Sequence, residues 1–191
     1  MEAVPFIAEN KHIFIIGHVL FVVLGMGSAV VTDILCLRFG FNKKLSRFEV
    51  DTIRFLSHVV TIGLIGIVAS GATVFLSDPE RYMHSVKFLT KMTIVFVLCV
   101  NGWLLHRYIF RHIADKNILT SPKARTLRKV GFALGAVSLI SWVSALSLGV
   151  LLHISVRYDI AVIFYASAVL IAVFLSLFIE SILLERKRIS K

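Results

Sequence analysis

His18, Asp33, His58, Lys91, His106, His153 and Glu180 interrupt stretches of sequence that are otherwise apolar. Their types define the available chemistry. A neutral imidazole offers a lone pair to haem iron. A lysine amine does so only after losing its proton, which needs a desolvated setting. Imidazoles and carboxylates together suit a borderline divalent cation. Ionisable groups held in hydrocarbon are rare and mark a functional site by default. The sequence has no GxSxG, HExxH, GxGxxG or P-loop pattern, so hydrolytic and nucleotide chemistry have no support.

The elements that must position these groups are helices in a bilayer. Of 191 residues, 58% are hydrophobic and only 17% are charged; mean hydropathy is +0.88. A spanning helix needs about 20 mostly apolar residues, whereas a barrel strand needs about 10 and alternates. Five segments have helix length: approximately 13–37, 55–76, 88–108, 130–152 and 160–184. The expected fold is therefore all-α, one integral membrane bundle of five transmembrane helices over residues 1–191. The N-terminal MEAVPFIAENKHIF has acidic residues and no basic lead, so the first span is expected to be retained, not cleaved. Cys36 and Cys99 form no CxxC pair, which argues against a disulfide framework or a thiolate zinc site.

The formal net charge of +10 would suggest nucleic acid in a soluble protein. Here the basic residues gather in loops on one side. Arg38, Lys43, Lys44, Arg47 and Arg54 follow the first span, seven more lie between Arg107 and Lys129, and four close the tail. The opposite side has Lys11, Arg81, Lys87 and Arg157. The positive-inside rule then places the N-terminus outside and the C-terminus in the cytoplasm, in an inner or plasma membrane. No nucleic-acid partner is expected.

This orientation sorts the ionisable groups into two levels. His18, Lys91 and His153 fall near the outer face; Asp33, His58, His106 and Glu180 fall near the inner face. Lys91 and His106 are separated by roughly 22 Å at 1.5 Å per residue. Helix spacing puts His18 on a face with Gly25, Ala29 and Thr32. It puts His153 with Gly131, Gly135, Ser138, Trp142, Ala145 and Gly149, and His58 with Thr61, Ile65, Ala69 and Ala72. Small residues let helices approach or make room for a flat cofactor, so these histidines are expected to point inward. Plainer roles stand beside this: interfacial histidines at 106 and 153, snorkelling by Lys91, pairing of Asp33 with Arg38 or Arg54, and pairing of Glu180 with Arg186 or Lys187. Asn101 is expected to make a helix–helix hydrogen bond.

Three stretches carry a family resemblance. GHVLFVVLGMGSAVV resembles the first helix of the copper-resistance protein D family and of the HemJ-like protoporphyrinogen oxidases. RFLSHVVTIGLIGIVASGATVFL resembles their second helix, and VKFLTKMTIVFVLCVNGWLLHRY their third. The resemblance covers most of residues 13–110. It implies a b-type haem served by the first-helix histidine and the third-helix lysine, which fall on His18 and Lys91. The oxidases usually have Pro-Arg after the first-helix glycines, whereas this chain has VVTDILCLRF.

The leading expectation is a haem b-binding membrane redox protein, for transmembrane electron transfer or oxidation of a membrane-accessible substrate. Candidate ligands are His18 with His153 or Lys91 at the outer level, and His58 with His106 at the inner. The partners expected are the bilayer, a quinone or porphyrin-type substrate or a redox partner protein, and a second copy of the chain. Transport of copper, another divalent metal or protons is the alternative, with Asp33, His58, His106 and Glu180 as the inner site. A cofactor-free structural subunit is the third.

Overall fold

A computed structural model describes residues 7, 9–39, 46–110, 123–150 and 156–189. Its elements are α1 (Lys11–Phe39), α2 (Arg47–Leu76), the short α3 (Pro79–Met83), α4 (Val86–Leu105), a π-helical turn (His106–Phe110), α5 (Lys123–Val150) and α6 (Tyr158–Ile189). The described chain is an all-α bundle with five helices long and apolar enough to cross a membrane. The sequence expectation of five spans and no strands is met among these residues.

The helices outrun the apolar stretches because polar caps start them. Ser46 accepts from the Glu49 amide at 3.2 Å, and the Glu49 carboxylate accepts from the Ser46 amide at 2.6 Å. This capping box begins α2 at Arg47 instead of Phe55. Asp78 caps α3, with Pro79 at its first position. Ser85 caps α4 through the Phe88 amide. The turn after α4 takes π geometry, which the apolar pattern does not anticipate.

α1 and α2 make the most extensive helix pair, and α5 packs against α1, α4 and α6. A Cβ on Gly63 would sit 2.6 Å from the Gly25 Cα, so the α1 and α2 backbones touch there. A Cβ on Gly66 would collide with the Phe21 ring, and one on Gly25 would lie 2.6 Å from Trp142 Cη2. Trp142, on α5, thereby packs onto the α1–α2 crossing. It shares the core with Ala29, Ile67, Ile94, Leu98 and Tyr165. Outside, Phe55, Phe96, Phe164 and Phe174 are each about two-thirds exposed or more. So much apolar surface is untenable in water but ordinary in lipid.

Two inferred faces match the burial and one does not. Gly25, Ala29 and Thr32 are buried on α1, as are Ser138 and Trp142 on α5, where Gly131, Gly135 and Ala145 are half-buried and Gly149 is exposed. On α2, His58, Thr61, Ile65, Ala69 and Ala72 are all exposed. The inward residues are Ile53, Ser57, Gly63, Gly66 and Ile67. The helix is turned by nearly half a turn, roughly 160° at 100° per residue, from the expected orientation because the Gly25–Gly63 crossing sets it.

Candidate functional site

The five helices alternate in direction, so the bundle has an α3 end, where α1 begins, and a basic end, where α6 finishes. Contacts across helices fix this: Lys11 stacks over Tyr82 at 5.1 Å, the Thr93 and Tyr158 hydroxyls are 2.8 Å apart, and Arg128 pairs with Glu180.

Toward the α3 end, three helices bring polar groups together and a fourth, α5, brings a glycine beside them. His18 Nδ1 on α1 lies 2.8 Å from Ser70 Oγ on α2. Ser70 Oγ also lies 2.5 Å from the Gly66 carbonyl and 3.3 Å from that of Ile67. Its single proton goes to a carbonyl, which can only accept, so Ser70 must accept from His18. The Nδ1 of His18 therefore carries a proton. Nε2, across the ring, has no hydrogen-bond partner among the described residues. Ser70 is available for this because it continues the Gly63–Gly66 seam one turn on. The small-residue spacing could have revealed it.

Lys91 on α4 lies toward the same end of the bundle as His18. Its Nζ would lie 3.8 Å from a Cβ on Gly149 of α5. Gly71 of α2 leaves His18 Cε1 similarly bare, at 3.6 Å from an added Cβ. Among the described residues, neither His18 nor Lys91 belongs to an ion pair. Two basic groups thus lie toward one end of the bundle, with no acid among the described residues in salt-bridge reach of either. His153 lies outside the described residues.

The basic end has no such convergence. His58 is exposed, and its Nδ1 sits 2.8 Å from the Arg54 carbonyl of its own helix. His106 is exposed in the π-helical turn. The expectation that His58 points into the bundle is overturned, since Ser57 beside it takes the inward position; the exposed His106 fits the plainer interfacial role set beside its ligand role. Asp33 is half-buried, packed 3.5 Å from a Cβ position on Gly135, and forms no ion pair with Arg38 or Arg54. Glu180 is buried and pairs with Arg128 at 2.7 Å across the α5–α6 contact. That cross-helix partner was not anticipated. No group of three or more His, Cys, Asp or Glu side chains among the described residues could hold a metal ion. Asp33, His58, His106 and Glu180 are therefore not assembled into one site.

Further polar contacts tie helices together. Asn101 Nδ2 donates to the Leu134 carbonyl at 3.1 Å, the helix–helix bond expected of it. Tyr165 and Ser141 hydroxyls meet at 2.7 Å in the core. Ser141 is also 2.6 Å from the Val137 carbonyl, which takes its proton, so Tyr165 is the donor between them.

Comparison with protein-family models, curated proteins and solved structures found no match to this chain.

Proposed function

We propose that this chain is a haem b-binding membrane redox protein, in which His18 Nε2 would hold the haem iron and Lys91 would neutralise an acidic substituent of the porphyrin. The hydrogen bond from His18 to Ser70 carries the proposal. Metal-ligating histidines generally donate their other ring N–H to a neighbouring acceptor, which fixes tautomer and orientation. Ser70 is such an acceptor, and it leaves Nε2 with the lone pair. Lys91 lacks an acid among the described residues, and haem carries two propionates. When bound, haem would supply one-electron chemistry. The chain's own residues orient the imidazole, neutralise an anion and exclude water.

By the positive-inside argument the α3 end faces outward from the cell or inner membrane, which puts this site in the outer leaflet. A family tie to the copper-resistance protein D or HemJ-like proteins agrees with the positions of His18 and Lys91. The inner pair His58 and His106 is left out, since both side chains face away from the bundle.

The test is the absorption spectrum of detergent-purified protein from haem-supplemented cells. A Soret band that shifts on reduction, lost in His18→Ala, supports the proposal. Lys91→Arg should keep haem and Lys91→Met should lose most of it; the reverse pattern would make Lys91 an iron ligand. A second reading, a structural subunit without cofactor, is favoured by the interhelical ties of Asn101, Tyr165 and Arg128, which need no ligand to explain them. A colourless preparation after haem supplementation selects it.

A further inference from the structure

The turned α2 carries Arg54, His58, Thr61, Ile65 and Ala69 along one exposed face. α2 and α4 touch only sparsely, and an apolar groove of about 310 Å³ lies between them. Thr61, Leu64, Ile65, Val68 and Ala69 of α2 form one wall and Cys99 of α4 the other. Thr61 supplies the hydroxyl of this lining, and its proton goes to the Ser57 carbonyl at 2.9 Å. The groove therefore offers no strong donor, and hydrocarbon suits it.

The groups beyond the groove say which hydrocarbon. His58 is seven residues from Ile65, and His106 is seven residues from Cys99. Seven residues are two turns, so each histidine falls within about 20° of its groove residue's face and roughly 10 Å nearer the basic end. Arg54 is eleven residues from Ile65, again within about 20° and roughly 16 Å along. That is close to the hydrocarbon depth of one leaflet, about 15 Å. Both histidines and Arg54 are exposed. Trp103, between Cys99 and His106, is exposed too, and such rings anchor at headgroup level. Among the described residues Arg54 belongs to no ion pair, although Asp51 is one turn away. An apolar channel thus leads to an unpaired guanidinium at phosphate height.

We infer that the α2–α4 groove holds an anionic phospholipid of the leaflet at the basic end. One acyl chain lies in the groove, Arg54 pairs with the phosphate, and an N–H of His106 donates to a headgroup oxygen. The planar fork of an arginine bonds two phosphate oxygens at once. Basic pockets between spanning helices on the cytoplasmic side suit anionic headgroups. His58 spends its Nδ1 proton on the Arg54 carbonyl, which can only accept, so the ring walls the site. A second copy of the chain is a poorer occupant, because a two-fold pair on this face would set Arg54 against Arg54.

The test is native mass spectrometry of the full chain in detergent, titrated with dioleoylphosphatidylglycerol or dioleoylphosphatidylcholine. The two lipids share acyl chains and phosphate and differ in net charge. The first phosphatidylglycerol should bind at least about fivefold more tightly than phosphatidylcholine. Arg54→Gln should weaken phosphatidylglycerol binding about fivefold. Arg125→Gln removes an equal charge from an exposed position on α5 and should change it less than about twofold. Ala69→Trp keeps Arg54 but fills the groove, and should weaken both lipids at least about fivefold. Circular dichroism checks that each variant keeps native helical content. Equal binding of the two lipids, equal losses in Arg54→Gln and Arg125→Gln, or undiminished binding in Ala69→Trp overturns the inference. So does a dimer that Ala69→Trp abolishes, which would give the groove to a second copy. The site lies at the opposite end from His18 and no haem signal enters the readout, so failure here and failure of the haem proposal are separately visible.

Discussion

At the scale of single residues, the His18–Ser70 contact matters because of where protons must lie. Ser70 spends its proton on a carbonyl of its own helix and so becomes an acceptor for the imidazole. Replacing Ser70 with Ala removes that acceptor and frees the ring to rotate. Loss of such a supporting bond typically weakens metal affinity 10- to 100-fold. We expect Ser70→Ala to reduce haem affinity by roughly tenfold in a haem titration of purified protein, with the fold intact. The carboxylate of Glu180 makes a different prediction. It is 1% exposed and held by Arg128. Arg128→Met strands a buried charge, and such losses cost about 3–5 kcal/mol. Arg128→Met should lower the unfolding midpoint in detergent sharply, and adding Glu180→Leu should restore most of the loss.

At the scale of elements, the α1–α2 crossing decides which way α2 faces. Backbone contact between Gly25 and Gly63 leaves no room for a methyl group. Gly63→Ala should therefore destabilise the bundle by about 1–3 kcal/mol, the usual cost of overpacking, measured by thermal unfolding. Gly27→Ala is the control: nothing lies within 4 Å of its added Cβ, so the midpoint should hold or rise slightly. The same crossing explains what the sequence left illegible. The apolar runs and the inward faces of α1 and α5 could be read directly, because small residues recur there at helical spacing. On α2 two stripes of small residues compete. His58, Thr61 and Ala69 mark one, Ser57, Gly63 and Gly66 the other, and only the partner's backbone chooses between them. The π-helical turn at His106 and the Arg128 partner of Glu180 likewise depend on tertiary packing that periodicity does not encode.

At the scale of the whole molecule, charge asymmetry and the placement of His18 and Lys91 toward one end belong to one arrangement. The basic end carries the loops that set topology, and the proposed cofactor site lies toward the other. In a background with Cys36 and Cys99 replaced by Ser, an impermeant thiol reagent applied to intact cells should label Ser85→Cys and spare Ser46→Cys. The opposite pattern would place the site in the inner leaflet. The central claim is tested most directly by the reduced-minus-oxidised absorption spectrum of the purified native chain beside His18→Ala. A haem b signal in the native protein that disappears in the variant, while helical content is unchanged, is the predicted result. A native protein without that signal after haem supplementation, or a variant that keeps it in full, would contradict the account.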